Sequence, residues 1–126
     1  LGIVHSMAHP LSAVYDIPHG VACAILLTPV LKFNAPSTAD KYRDIAVAMG
    51  VKNTEDMNIE QARQACIEAV EKLSVDVGIP QKLTQLGVKE EDLQFLSESA
   101  FVDACTPGNP RDVSVEAIKE IYKSIM

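Results

Sequence analysis

Apolar residues recur at intervals of three and four over most of the chain, the spacing that places them on one face of an α-helix. The first such stretch runs from Ile3 to Tyr15. Its apolar stripe consists of Val4, Met7, Ala8, Leu11 and Tyr15. The pattern predicts a helix, and Pro10 predicts a kink or loosened turn inside it, because proline cannot donate to the carbonyl four residues earlier.

A second helix is predicted to begin around the segment DIPHG and to run towards Leu31. Asp16 is expected to cap it and Pro18 to lie in its first turn. The apolar run VACAILLTPVL within it is interrupted by Thr28 and Pro29. Because this run is shorter than the roughly 20 residues that span a bilayer, we expect a buried helix and no membrane partner.

Four further amphipathic segments follow, at residues 37–50, 58–77, 89–104 and from Ser114 to the end of the chain. Gly50 and Gly78 are the expected stops of the first two, and Ser114 is the expected cap of the last. The predicted inner faces are Tyr42, Ile45, Ala46 and Met49; Ile59, Ala62, Cys66, Ala69, Leu73 and Val77; Leu93, Leu96, Ala100 and Ala104; Val115, Ile118, Ile121, Tyr122 and Ile125. No segment resembles a strand, so we expect an all-α domain of about six helices.

The composition is typical of one globular domain, with 126 residues of which 48% are hydrophobic and 22% charged. A net charge of −6, with lysines and arginines scattered singly, argues against a nucleic-acid partner. Three cysteines, Cys23, Cys66 and Cys105, without C-x-x-C spacing, favour a reduced, cytoplasmic protein over a disulfide framework. The chain opens on Leu1 without a signal peptide, and we expect it to be part of a longer protein.

All three histidines, His5, His9 and His19, lie within fifteen residues. His5 and His9 are four residues apart, so on a regular helix their rings project from one face, and a helical hairpin would bring His19 opposite them. Such a cluster suits metal binding or acid/base chemistry, but the same residues could also pack or cap. Ser6 stands where a zinc metalloprotease motif needs glutamate, which argues against that class.

Other candidate chemistry is sparse. Cys105 could be a reactive thiol, although a cysteine in such a place is more often a small hydrophobic residue. The sequence contains neither G-x-G-x-x-G nor a P-loop, so these residues do not include a cradle for nucleotide phosphates. A nucleotide cofactor would therefore be bound elsewhere.

The stretch GIVHSMAHPLSAVYDIPHGVACAILLTPVLKFN resembles the histidine-bearing signature of the iron-containing, metal-dependent group III alcohol dehydrogenases. Its H-P and P-H-G elements, with fourteen residues from the first histidine to the last, carry the likeness. The similarity continues through KYRDIAVAMGV, VGIPQKLTQLGV and DACTPGNPRDVSVEAIKEIY. It is strongest to the branch of lactaldehyde reductases and 1,3-propanediol dehydrogenases.

The resemblance implies that residues 1–126 are the later part of a C-terminal helical domain, and that an N-terminal nucleotide-binding domain lies outside them. It implies hydride transfer between NAD(P) and a small alcohol or aldehyde, with Fe(II), or Zn(II) in its place, as a Lewis acid. Carried over by position, His5 and His19 are metal ligands, His9 is an active-site histidine that could relay a proton, and Cys105 lies in a loop near the site. An aspartate and a histidine before Leu1 would complete the ligand set.

Three hypotheses remain open at this point: part of an alcohol dehydrogenase, a free-standing helical metal-binding module, or a structural helical domain. The first predicts that the chain alone lacks dehydrogenase activity and, with two ligands, binds metal weakly. It also implies the rest of the parent enzyme as a partner and a homo-oligomer. We further expect apolar surface around residues 21–31 to be exposed and to drive self-association.

Overall fold

A computed structural model describes all 126 residues, which form six α-helices and no β-strand. The helices are α1 (Ile3–Tyr15), α2 (His19–Asn34), α3 (Lys41–Ala48), α4 (Ile59–Asp76), α5 (Leu93–Phe101) and α6 (Val115–Lys123). Short 3-10 turns lie at Ala35–Ser37, Thr54–Asp56, Leu83–Leu86, Glu90–Asp92 and Thr106–Gly108. The prediction of an all-α fold of about six helices is confirmed.

Local capping explains where several helices begin and end. At the start of α4 the side chain of Asn58 accepts from the backbone N–H of Gln61 at 2.8 Å, and the Gln61 side chain accepts from the backbone N–H of Asn58 at 2.9 Å. The predicted cap of α6 is confirmed, since the Ser114 hydroxyl accepts from the backbone N–H of Ala117 at 3.1 Å. Gly50, after α3, has a φ of 87°, a conformation that favours glycine.

The junction between α1 and α2 differs from the prediction. Asp16 does not cap α2; it ends α1 in the left-handed conformation, with a φ of 56° and its N–H donating to the carbonyl of Ser12. Aspartate is one of the few residues that adopt this conformation readily. Pro18 then stands at the N-cap, so that α2 begins at His19. Only three residues separate the two helices, which therefore form a tight hairpin.

Two separate apolar cores hold the helices together. The large core contains 17 buried residues and is formed mainly by α1, α2, α5 and α6. Its fully buried side chains include Ile3, Met7, Leu11, Leu26, Leu93, Leu96, Ile118 and Tyr122. The small core contains four buried residues from α3 and α4, which are Tyr42, Ala46, Cys66 and Ile67. Both helices that carry histidines belong to the large core.

The predicted inner faces of α3 and α4 are buried only in part. Ile45 is 38% exposed, Leu73 50% and Val77 63%. The reason is that α3 packs mainly on α4, and α4 otherwise packs mainly on α2. One side of each apolar stripe therefore has no neighbour within the chain. Ala104, expected on the inner face of the fifth helix, is exposed because α5 already ends at Phe101.

The apolar run at residues 21–31 also differs from expectation. It is largely covered by the chain itself, and Leu27, 41% exposed, is its one exposed residue. Much of the exposed apolar surface lies instead on α3 and α4, and a further part lies on α5 at Phe95 and Phe101. The segment His19–Ser37 is long and apolar enough by length and composition to cross a membrane, but the core helix of a globular protein passes the same test, and 44% of this window is buried.

Candidate metal centre

The α1–α2 hairpin brings all three predicted histidines together. The ring centroids of His5 and His19 are 5.8 Å apart, those of His9 and His19 are 5.8 Å apart, and those of His5 and His9 are 6.5 Å apart. His5 and His9 lie one turn apart on α1, and His19 faces them from the first turn of α2. Their donor atoms separate into two groups, each completed by residues outside the histidine trio.

The first group, called here the His5 group, consists of His5, His19 and Cys23, whose donor atoms all lie within 4.8 Å of one another. The Cys23 sulfur is 3.5 Å from Nε2 of His19, because the two residues are one turn apart on α2. Burial raises the pKa of the Cys23 thiol. Two imidazoles and a sulfur are donors that suit Zn(II), and imidazole also suits Fe(II).

The two predicted metal ligands, His5 and His19, therefore converge from different helices. His5 and Cys23 are half-buried and His19 is exposed, so one side of the group is open to ligands from elsewhere. The residue types and the convergence fit a divalent transition metal. Sequence reasoning overlooked Cys23, although its position four residues after His19 was the available signal.

The second group, called here the His9 group, consists of His9, Asp103 and Cys105, whose donor atoms also lie within 4.8 Å of one another. Nδ1 of His9 is 2.7 Å from Oδ2 of Asp103, and the other carboxylate oxygen accepts from the backbone N–H of Cys105 at 2.8 Å. Asp103 and Cys105 stand in the turn directly after α5. Asp103 was missed from the sequence, since its partner lies 94 positions away along the chain.

The electrostatics of the His9 group set its proton positions. The backbone N–H of Cys105, and then the side chain of His9, hold the pKa of Asp103 below its ordinary range. An ionised carboxylate can only accept, so Nδ1 of His9 carries the proton in this pair and Nε2 is free. Desolvation and the neighbouring Asp103 raise the pKa of the Cys105 thiol, which is not the setting of an activated nucleophile.

Buried hydroxyls attach the turn of the His9 group to α1. The hydroxyl of Thr106 lies 2.6 Å from the Ala100 carbonyl and 2.7 Å from the hydroxyl oxygen of Ser6. Because a carbonyl can only accept, Thr106 donates to Ala100, and its hydroxyl also contacts that of Ser6. Ser6 directly follows His5 on α1. This contact therefore holds the turn that carries Asp103 and Cys105 beside the histidines.

A pair of asparagines attaches the loop around Asn109 to α2. The side-chain amides of Asn34 and Asn109 exchange two hydrogen bonds, of 3.0 and 2.8 Å. Asn109 also accepts from the backbone N–H of Ile3 at 3.4 Å. The loop after α5 is thus attached to both helices that carry histidines.

Comparison with known proteins gives one family over the whole chain. The sequence profile described as the Fe-containing alcohol dehydrogenase family, C-terminal, matches residues 1–126. The chain is 55% identical over 122 residues to lactaldehyde reductase of Escherichia coli strain K12, a match that covers 97% of the chain and 32% of that enzyme. It is 44% identical over 123 residues to 1,3-propanediol dehydrogenase of Citrobacter freundii, covering 98% of the chain and 32% of that enzyme.

Solved structures give the same result for the fold. A 1,3-propanediol oxidoreductase matches with a TM-score of 0.96 and 41% identity, over 100% of this chain and 33% of the other. An alcohol dehydrogenase from Oenococcus oeni matches with a TM-score of 0.94 and 37% identity, again over 100% of this chain and 33% of the other. The chain spans about a third of the length of the relatives it matches.

Proposed function

The chain belongs to the Fe-containing alcohol dehydrogenase family, in its C-terminal region, and from this premise we propose that it supplies two metal-ligand histidines to an NAD(P)-dependent enzyme. That enzyme interconverts a small alcohol or diol and its aldehyde by hydride transfer. The observation that carries the proposal is the convergence of His5 and His19 from two helices, with donor atoms in one group.

His5 and His19 are the residues that would hold Fe(II), with Zn(II) as a competitor for the same donors. When bound, such a metal supplies a Lewis acid that polarises the substrate oxygen. The tight α1–α2 hairpin sets the separation of the two imidazoles, and the large core beneath both helices keeps that separation constant. The exposed side of His19 would be open to the remaining ligands, an aspartate and a histidine from the part of the enzyme outside this chain.

His9 is the residue to which we assign proton relay. Its side chain is 45% exposed, so the ring has access to water. Asp103 accepts a hydrogen bond from Nδ1–H and thereby holds the ring with Nε2 available to exchange a proton between solvent and the substrate oxygen. Asp103 acts here as a positioning residue, and Cys105 lines the same corner of the site.

The remaining parts of the proposal concern partners. NAD(P) would be bound mainly by a nucleotide-binding domain outside residues 1–126, since these residues contain no phosphate-binding motif. The relatives named lactaldehyde reductase and 1,3-propanediol dehydrogenase favour a small hydroxyaldehyde or diol as substrate. Three free thiols favour the reducing cytoplasm. The exposed apolar side chains of α3 and α4 would be covered by the rest of the enzyme or by a second copy in a homo-oligomer.

Single variants of the complete enzyme that contains this domain test the assigned roles. His5→Ala and His19→Ala should each purify without metal, whereas His9→Ala should retain metal and lose rate. Asp103→Asn should retain metal, lower kcat and alter the pH profile of kcat, with the exposed Asp112→Asn as matched control. Metal content is measured by elemental analysis. A His9→Ala enzyme that purifies without metal would contradict the assignment.

The chain alone separates the enzyme hypothesis from a self-sufficient module. We expect no aldehyde-dependent NADH oxidation by residues 1–126, because most of the cofactor site and half of the ligand set would be missing. The comparison protein is the same chain with His5→Ala and His19→Ala. Oxidation of NADH with lactaldehyde above that background would contradict the proposal.

A further inference from the structure

The His9 group combines an imidazole, a carboxylate and a thiol at one point, apart from the two predicted metal ligands. We propose that His9, Asp103 and Cys105 form a second binding site, for a divalent transition metal of borderline softness such as Zn²⁺. A set with one sulfur, one nitrogen and one oxygen is typical of zinc and unlike the all-oxygen sets that Mg²⁺ and Ca²⁺ prefer. The site would keep an open position, because His9 faces water.

The geometry needs little adjustment to accept the ion. All three donor atoms lie within 4.8 Å of one another, and bonds of about 2.0 to 2.3 Å to a shared zinc place such donors roughly 3 to 4 Å apart. The contact of 2.7 Å between His9 and Asp103 must widen slightly. The half-exposed His9 ring can make that movement, while the backbone of Asp103 and Cys105 stays fixed through Thr106 and its contacts to Ser6 and Ala100.

Binding at this site has a definite proton balance. For a His9 ring that carries one proton, that proton moves from Nδ1 to Nε2, which opens Nδ1 to the metal. The Cys105 thiol gives its proton to solvent and binds as thiolate, and Asp103 binds as the carboxylate it already is. No oxidation or bond cleavage is involved, and one proton is released for each ion bound.

Occupation of the site would remove the hydrogen bond between His9 and Asp103. If His9 relays protons as proposed above, zinc in excess of the catalytic metal would inhibit the enzyme by occupying this residue. That consequence depends on the proposed function. The binding itself does not, because it involves neither His5 nor His19.

Cobalt titration of the full 126-residue chain tests the site, because thiolate bound to Co²⁺ gives a charge-transfer band in the near ultraviolet. The starting protein carries His5→Ala and His19→Ala, which disables the His5 group. We expect one equivalent of Co²⁺ with a thiolate band, displaced by Zn²⁺. Cys105→Ser should abolish the band, and Asp103→Asn, which keeps the acceptor for the Cys105 N–H, should weaken binding at least about tenfold.

Cys23→Ser is the matched control and should leave both band and affinity unchanged, since Cys23 belongs to the other group. Circular dichroism of each variant verifies that the helices are retained. A band that survives Cys105→Ser but disappears with Cys23→Ser would overturn the proposal, as would a folded chain that binds no Co²⁺. Neither result affects the metal content of the complete enzyme, which tests His5 and His19 separately.

Discussion

The two apolar cores of this chain differ in size and in the contacts that support them. The large core has 17 buried residues drawn mainly from four helices, whereas the small core has four, on α3 and α4 alone. Hydrogen bonds from side chains to backbone carbonyls also support the small core. Arg43 donates to the carbonyl of Thr54, Arg63 to the carbonyl of Ala39 at 2.9 Å, and Tyr42 to the carbonyl of Leu31 at 2.9 Å.

This difference matches the distribution of candidate functional residues. Both donor groups lie on α1, α2 and the turn after α5, all supported by the large core. A metal site requires donor atoms held to within a fraction of an ångström, which a densely packed core provides. The α3–α4 unit carries none of these donors and leaves apolar side chains exposed. Under the proposed function, the rest of the enzyme or a second copy would cover these side chains, and such a contact needs less precise geometry than a metal site.

The largest expected difference between the two regions is the cost of deleting a leucine side chain. Leu26 is fully buried in the large core, whereas Leu73 on α4 is 50% exposed. Leu26→Ala should lower the free energy of unfolding by about 2 to 5 kcal/mol, because it removes buried methyl groups and leaves a cavity. The matched change Leu73→Ala should cost less than about 1 kcal/mol. Urea denaturation followed by circular dichroism measures both.

Equal costs for the two leucines would show that α4 is packed as tightly as α2 and would remove the distinction between the cores. Native-state hydrogen exchange sharpens the comparison in the wild-type chain. The free energy of the opening that exposes backbone amides to exchange should be lower for α3 and α4 than for α1 and α2.

A smaller difference is expected from two tyrosines that perform the same task in the two regions. The buried hydroxyl of Tyr122 donates to the carbonyl of Met7 at 2.6 Å, and that of Tyr42 donates to the carbonyl of Leu31 at 2.9 Å. Tyr122→Phe should cost about 1 to 2 kcal/mol, and Tyr42→Phe about 0.5 to 1 kcal/mol. Thermal unfolding of the two variants measures both costs. A larger cost for Tyr42→Phe than for Tyr122→Phe would contradict the prediction.

Prediction from sequence succeeded where local rules decide the structure. The helical spacing of the first 15 residues and the Ser114 cap are local features, and α1 and α6 begin where they indicate. The prediction for Asp16 was wrong, because an aspartate between two helices can either cap the second helix or end the first in the left-handed conformation. The exposure of Leu73 and Val77 could not be inferred, since a stripe on α4 does not say which neighbour covers it.

The candidate site was predictable to the same extent. His5, His9 and His19 are clustered along the sequence, and the structure brings them together. Asp103 has no such signal, because its contact with His9 depends on how α5 packs against α1. The family resemblance supplied roles for the histidines, and these roles stay predictions.

The smallest expected effect concerns the link between Asp103 and His9, a polar contact within the region of the large core. The backbone N–H of Cys105, and then His9, lower the pKa of Asp103 in the folded chain. The ionised carboxylate therefore stabilises the fold above the ordinary carboxyl pKa, and this contribution is lost as the pH falls through the lower folded value.

Asp103→Asn should reduce stability near neutral pH, and the difference from the wild-type chain should vanish in acid. The effect should be modest, because the His9 side chain is 45% exposed and water competes for its hydrogen bond with Asp103. Urea unfolding at a series of pH values measures the difference, and a gap between the two proteins that stays constant into acid would show that the carboxylate charge does not support this region.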